Sequence, residues 1–543
     1  MSAPDLPFVD DHLRHWSARR PHEPAAIFGE TSRTWRELQN SVEEFARALS
    51  ADGVGPGDRV AMLAGPRPEF LEVFLATASL GAIWLGLNPR YRVAELRRVL
   101  ADAEPSVLVV VPAAEPRGDD LREADLRELI AGQPSIRTLV TPDPVGVGLP
   151  RRVSRSEYTA RGAGRDLAPI RAARDPLAPT LLVYTSGSTG RPKGALLTHR
   201  GLTRCAGVQA GHWDVAAGER VLCNLPINHV GCVGDLCVST LVQGGTLCFA
   251  EHFDPEQTLA LIARERVAMW GQIPVMFQLA LATPGFATHD LSSLRRVVWS
   301  GAACPPATAE ALARIGAAVS TGYGLTETTG SVTYSDPDAP LADLVETVGR
   351  PEPGYEVRVA RPDGAACAVG EAGEVQVRGD FVMAGYWRLP AESAAAFTPD
   401  GWLHTGDGGT LRADGNLILH GRMSDVYRSG GYHVAPREVE SALDEHPGVA
   451  AASVVAVPDP LWGRIGHAFV VPRDPGLDPA ALREHVRARL ANYKVPKVFE
   501  LCAALPLLPN GKVDKGALRA RAETAGDRAE DTGVRGAAPV DAS

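Results

Sequence analysis

The stretch Leu181-Leu182-Val183-Tyr184, running into Thr185-Ser186-Gly187-Ser188-Thr189-Gly190-Arg191-Pro192-Lys193-Gly194, decides how this chain reads. The four residues from Leu181 to Tyr184 form a short apolar run of the kind that makes a buried strand. Beyond them, glycines, hydroxyls and a lysine share one turn. Glycine lets the backbone bend so that successive N–H groups face an anion. Serine and threonine add hydroxyl donors, and Lys193 adds a point charge. That is the chemistry of a loop that grips polyphosphate. It is not a Walker A loop, which needs Gly-Lys-Ser/Thr at its end, and it carries no G-x-G-x-x-G dinucleotide fingerprint.

The flanking sequence supplies the architecture. Thr34-Trp35-Arg36-Glu37 is a capping box, followed by Leu38, Val42, Phe45 and Leu49 at helical spacing, with Gly53 closing the helix. A short strand near Arg59 to Leu63, an apolar helix around Phe70 to Leu85 and a strand Val107 to Val111 come next. Helices alternating with unbroken apolar strands predict an α/β fold built of largely parallel sheets. Leu294 to Trp299 is another such strand and leads into Ser300-Gly301-Ala302-Ala303, where small residues admit a flat ligand close to the backbone. Past residue 370 the pattern alternates, as in Glu374 to Arg378, predicting a small β-rich subdomain. After a boundary at 421–425, a compact α+β unit is expected, with a helix from Pro436, a strand Ser453 to Val457 and a helix near Ala480 to Leu490. The domains are therefore expected as 1–422 and 423–520, with 521–543 a disordered tail rich in Ala, Gly, Asp and Arg.

The chain has 543 residues, 45% of them hydrophobic, and a net charge of −10. Such a length suits two or three domains. The acidic balance and the lack of a long basic run exclude a general nucleic-acid binder. Met1 to Trp16 has no apolar core and does not read as a signal peptide. The longest apolar run, Val73 to Leu87, is too short to span a bilayer and reads as a buried helix. With Asp541-Ala542-Ser543 giving no peroxisomal address, the expected location is the cytoplasm. Eight cysteines in so long a chain do not form a disulfide framework. Cys205, Cys223, Cys232, Cys237 and Cys248 lie near His212, His229 and His252, but no C-x-x-C occurs. Their apolar surroundings predict core thiols rather than a zinc site.

Four further segments follow the loop in order: Tyr323-Gly324-Leu325-Thr326-Glu327, Thr405-Gly406-Asp407, Gly421-Arg422 through Gly430-Gly431 to Glu438, and Pro509-Asn510-Gly511-Lys512. Together the five segments resemble the adenylate-forming superfamily of acyl-CoA synthetases, adenylation domains and luciferases, and among these a bacterial AMP-forming acyl-CoA synthetase most. The resemblance runs from about residue 10 to about residue 520. It implies a two-step reaction. A carboxylate attacks the α-phosphorus of ATP and expels pyrophosphate; a thiol, usually that of CoA, then attacks the acyl-adenylate.

It also implies roles. Thr185, Ser186, Gly187, Ser188, Thr189, Gly190 and Lys193 would hold the β- and γ-phosphates. Tyr323, between Gly322 and Gly324, would stack on adenine, with Gly301, Ala302 and Ala303 lining the same slot. Thr326 would contact the α-phosphate and Glu327 would hold Mg²⁺. Asp407 would accept from the ribose hydroxyls, with Arg422 beside it. Lys512, carried by a mobile C-terminal domain, would bridge the substrate carboxylate and the α-phosphate. The hinge position, usually Asp or Lys, is here Ser424, followed by Asp425. Arg428 stands where some relatives have lysine, and Gly430-Gly431 match the loop lining the thiol channel. The departures at Ser424 and Arg428 leave open an enzyme that stops at acyl-AMP or serves a carrier-protein thiol. A nucleotide-binding pseudoenzyme is a further rival, opposed by retention of Lys193, Glu327, Asp407, Arg422 and Lys512; a luciferase-like oxygenase is another, to which no residue points.

Leu225-Pro226-Ile227-Asn228-His229 resembles the segment that gates the acyl site. Amino-acid activators place Asp immediately after this gate. Val230 stands there, and an apolar side chain cannot compensate a buried ammonium, so an amino acid is disfavoured. Gly231, Gly234, Trp270, Gly271, Gln272 and Gly330 complete the expected pocket. The implied partners are ATP, Mg²⁺, CoA and a small carboxylic acid, with no nucleic acid and no membrane span; a homodimer is left open.

Overall fold

A computed structural model describes residues 4–114, 123–142, 151–185, 192–429, 432–459, 461–473, 475–508 and 511–531. The expected phosphate-loop residues Ser186, Gly187, Ser188, Thr189 and Gly190 lie outside this set, as do Gly430 and Gly431.

Two large sheets form the first part of the chain. Among the described residues one has nine strands and the other eight. In the first, Pro24–Phe28, Thr246–Phe249, Arg220–Cys223, Met269–Gln272, Arg296–Ser300 and Ala318–Leu325 pair in parallel, with antiparallel strands at both edges. In the second, Arg59–Leu63, Ile83–Leu87, Val107–Val110, Thr138–Thr141, Arg152–Ser154 and Pro179–Thr185 are parallel. Parallel strands covered on both faces need near-continuous apolar sequence, and Val107–Val110 and Ile83–Leu87 are buried along their whole length. One core cluster joins the sheets: Val60, Met62 and Trp84 from one meet Ala26, Leu247 and Phe249 from the other, with Val42, Phe45 and Phe74 of two helices.

The first of those helices, Trp35–Ala51, starts at the capping box. The Thr34 backbone N–H donates to Glu37 Oε2 at 2.8 Å, and the Glu37 N–H donates to Thr34 Oγ1 at 3.3 Å. Such a cap contributes about 1 kcal/mol. The second helix departs from expectation. The run Val73 to Leu87 is no single helix: Pro68–Ala78 is helical, and the chain turns to enter the strand Ile83–Leu87. Gly81, at φ +68°, makes the turn, and Ile83 and Trp84 suit a buried strand.

A four-stranded antiparallel sheet follows, formed by Glu356–Ala360, Ala372–Arg378, Leu403–Leu411 and Leu417–Arg422. The last unit has its own sheet, with Val449–Asp459 against Gly463–Pro472 at its centre, and its own core of Tyr427, Val439, Leu443, Val454, Val470 and Leu482. Lys515–Asp531 is helical, so the tail expected from 521 begins in a helix. Leu518 and Ala522 are buried with Val455 and Phe469, and this packing orders the helix despite its polar composition.

Candidate active site

The strand Ala318–Leu325 ends where the nine-stranded sheet meets the four-stranded one. Tyr323 near its end is buried, and its phenol donates to Asp407 Oδ2 at 2.7 Å. Asp407 sits on Leu403–Leu411 directly opposite Arg422 on Leu417–Arg422. That register explains how two distant motifs converge. Arg422 Nε lies 3.0 Å from Asp407 Oδ1, and its Nη1 donates to the Thr405 carbonyl at 2.8 Å. Burial raises the Asp407 pKa, opposed by the Arg422 charge. Burial and the neighbouring Asp407 hold the Tyr323 phenol well above its ordinary value, so it stays a donor.

Lys512 reaches the same place from the small C-terminal unit. Its turn is closed by Gly511 N–H donating to the Leu508 carbonyl at 2.8 Å and Leu508 N–H donating to the Lys512 carbonyl at 2.7 Å; Gly511 stands at φ +80°. A Cβ placed on Gly301 would lie 3.7 Å from Lys512 Cε. Gly301, at φ +79°, and the exposed Ala302 and Ala303 follow the strand Arg296–Ser300 as an open ledge. Burial depresses the Lys512 ammonium pKa, as does Arg422, while Asp407 and Glu327 pull it up. One cation therefore sits in the field of all three motif residues.

Thr326 and Glu327 lie in the short turn Thr326–Thr328, with Thr326 buried and Glu327 partly open. Glu327 Oε1 accepts from the Tyr386 phenol at 3.0 Å, and the Tyr386 ring lies 5.2 Å from Lys193 Nζ. This stack ties the base of the expected phosphate loop to Glu327. Tyr386 escaped the sequence reading because Gly385–Tyr386 joins Lys193–Thr198 only as a two-residue edge strand from far along the chain. At the loop's other end, Thr185 pairs directly with Lys193.

His229 is the gate candidate. Its Nδ1 accepts from the Gly231 N–H at 3.0 Å, and burial, with the Lys512 charge adding, pulls its pKa down to about 4. It is thus a neutral ring near Lys512. Asn228 donates to the Tyr91 hydroxyl at 3.1 Å, and Val230 is buried. The following segment, Gly231–Val238, is a π-helix, a form that often marks functional sites. A Cβ on Gly234 would lie 3.2 Å from the Thr329 carbonyl, which joins this helix to the turn before Gly330. Trp270 corrects the expectation. It is buried against Phe277, ring centroids 4.8 Å apart, in a cluster with Leu259 and Trp299. Along a strand successive side chains alternate faces, so Gly271, beside Leu236, and not Trp270, meets the π-helix.

Three of the cysteines converge. Cys223 Sγ lies 3.7 Å from Cys232 Sγ and 3.4 Å from Cys237 Sγ, all buried. Among the described residues no histidine or carboxylate joins them, and Cys205 and Cys248 stand apart. Ser424 and Arg428 are exposed, the latter on the strand Tyr427–Ser429 of the C-terminal sheet. Among the described residues no helix is long and apolar enough to cross a membrane.

Known proteins are similar over most of the chain. The family model of the AMP-binding enzyme matches residues 13–387, and that of the AMP-binding enzyme C-terminal domain matches residues 438–512. A feruloyl-CoA synthase from Amycolatopsis sp is 39% identical over 516 residues, covering 94% of this chain and 99% of its own. An indoleacetate–CoA ligase from Aromatoleum aromaticum is 34% identical over 512 residues, covering 93% and 97%. Among solved structures, the anthranilate CoA ligase AuaEII in complex with anthranoyl-AMP aligns with a TM-score of 0.85 at 25% identity, covering 97% of this chain and 100% of its own.

Proposed function

The chain belongs to the AMP-binding enzyme family, and from that premise we propose that it activates an aromatic carboxylic acid as its acyl-AMP and passes the acyl group to CoA. It is an AMP-forming acid:CoA ligase, with ATP and CoA as co-substrates. The observation that carries the adenylation mechanism is the approach of Lys512 to the Gly301 ledge, in the field of Asp407, Arg422 and Glu327.

In the first half-reaction the acid's carboxylate oxygen attacks the α-phosphorus and pyrophosphate leaves. Catalysis of this kind is positioning and charge compensation. Asp407 accepts from the ribose hydroxyls, held in place by Tyr323 and Arg422. Tyr323 and Gly301 to Ala303 bound the adenine slot. Thr326 donates to the α-phosphate, and the Lys512 ammonium bridges the phosphate and the attacking carboxylate. Thr185 to Gly190 with Lys193 hold the outer phosphates. Glu327, a hard oxygen donor beside the Lys193–Tyr386 stack, would hold Mg²⁺, whose charge offsets that of the departing pyrophosphate. The neutral His229 closes the acyl pocket without adding charge. For the second half-reaction, the unit 423–520 turns about Ser424, withdrawing Lys512 and bringing Arg428, Gly430 and Gly431 to the thiol path. The thiolate then adds to the acyl carbon and AMP leaves.

Support for an aromatic acid comes from the relatives, whose names include feruloyl, indoleacetate and anthranilate. The test is mass spectrometry of one reaction with enzyme, ATP, Mg²⁺, CoA and pooled linear, aromatic and polycyclic acids. Aryl-CoA products are expected. Acyl-AMP accumulating without acyl-CoA would overturn the transfer step, and products from linear acids alone would overturn the aromatic assignment.

A further inference from the structure

Three thiols are gathered at a place the reaction above does not use. Cys223 ends the strand Arg220–Cys223, and Cys232 and Cys237 lie on the π-helix Gly231–Val238. Residues five apart on an α-helix point roughly 140° away from each other, which would split that pair between two faces. The wider π-helix closes i→i+5 and brings both to one side. Cys223 Sγ then lies 3.4 Å from Cys237 Sγ and 3.7 Å from Cys232 Sγ, and all three sulfurs are within 4.8 Å of one another. Each side chain is fully buried, in the core cluster that also holds Ile227, Val230, Val233 and Val238.

A free cysteine ordinarily serves as a small core hydrophobe, and three of them could do no more than fill space. Sulfurs from two elements converging on one point do more: they make a three-sided soft donor set. The surroundings choose the guest. Three thiolates around Zn²⁺ or Cu(I) leave a net negative charge on the complex. Zn²⁺ also requires a fourth donor, and among the described residues no histidine or carboxylate joins the three. Burial and the other two sulfurs dominate at each thiol, with no cation among those influences. An uncompensated charge in such a place is costly. A trivalent oxyacid avoids that cost. We propose that Cys223, Cys232 and Cys237 form a binding site for trivalent arsenic, taken up as arsenous acid. Three As–O bonds break and three As–S bonds form. Each thiol proton leaves with a hydroxide as water, the arsenic stays trivalent, and the product is neutral. The bound atom ties the strand Arg220–Cys223 to the π-helix that follows His229.

The test uses the full chain, reduced with a phosphine, freed of small thiols and incubated with sodium arsenite to constant occupancy. Native mass spectrometry should show one arsenic bound per chain and three hydrogens lost. X-ray absorption at the arsenic edge should show three sulfur neighbours and no oxygen. Cys223→Ala, Cys232→Ala and Cys237→Ala should each weaken retention by at least about 100-fold, since losing even a group behind a ligand costs about 10- to 100-fold. Cys367→Ala removes a partly exposed thiol outside the cluster and should retain the arsenic. Acid-dependent pyrophosphate exchange without arsenite reports whether each variant has folded; if the three cluster variants do not fold, the wild-type absorption spectrum decides. Zn²⁺ in equal amount should leave the arsenic in place. No retained arsenic, oxygen among its neighbours, retention by the cluster variants equal to wild type, or displacement by Zn²⁺ would each overturn the site.

Discussion

Replacing Lys512 with alanine separates the two half-reactions. The side chain ends against the Gly301 ledge, among Asp407, Arg422 and Glu327. A unit charge about 4 Å from the charge developing on the α-phosphate, in surroundings of effective dielectric about 20, is worth roughly 4 kcal/mol. Loss of one preorganised donor in comparable sites costs about 3–4 kcal/mol. Both routes give a fall of roughly 10³-fold in adenylation, at about 1.4 kcal/mol per tenfold. The assay is acid-dependent exchange of labelled pyrophosphate into ATP, run beside equilibrium binding of ATP and single-turnover transfer from synthetic acyl-AMP to CoA. Exchange should collapse while ATP affinity changes by less than about tenfold and transfer continues, because Lys512 acts on the first transition state. In the wild type the needed form is the ammonium. Since burial lowers its pKa, exchange should fall on the alkaline side earlier than an ordinary lysine would allow. Exchange within about threefold of wild type would refute the assignment, as would equal loss in both half-reactions.

Three other outcomes follow from the structure. His229, with a pKa near 4, stays neutral across the working range, so it should impose no inflection in kcat/KM between pH 6 and pH 8, estimated as roughly two pH units or more above its titration. Asp444 is buried in the small unit beside Arg437, with its pKa raised to about 7 from 3.8. The folded chain then holds a proton that the unfolded chain loses, so stability is highest below about pH 4 for this group and declines as pH rises to about 7. Asp444→Asn should remove that decline, a gain of at most a few kcal/mol at pH 8, read as the change in unfolding midpoint between pH 5 and pH 8. Thr34→Ala breaks the capping box and should cost about 1 kcal/mol in denaturant unfolding, with kinetics unchanged.

Much of this was legible in the sequence because the informative residues sit on regular elements. The parallel strands announce themselves as unbroken apolar runs, and the capping box marks a helix to the residue. The motif segments could be ordered in sequence, but their meeting could not be seen: the Asp407–Arg422 pair depends on the register of a hairpin. Trp270 was misplaced because a buried strand gives no sign of which face looks at the ligand. Cys232 and Cys237, five apart, would not share a face of an α-helix; the wider π-helix brings their sulfurs to Cys223. The helix Lys515–Asp531 gives no signal in the sequence, since its composition is polar and only the docking of Leu518 and Ala522 orders it.

Gly324, within Tyr323-Gly324-Leu325-Thr326-Glu327, faces Ser331 across a register shift, and a Cβ on it would overlap the Gly330 carbonyl. No side chain of any size fits there, whatever the substrate. A saturation-mutagenesis map would therefore score Gly324 as harshly as Lys512, yet the two deaths differ. A Lys512 variant accumulates as folded enzyme that has lost adenylation alone, whereas a Gly324 variant should be lost from the soluble pool before it meets ATP. Abundance measured alongside activity would sort such positions, dividing the signature into letters that record chemistry and letters that record how closely two strands must lie.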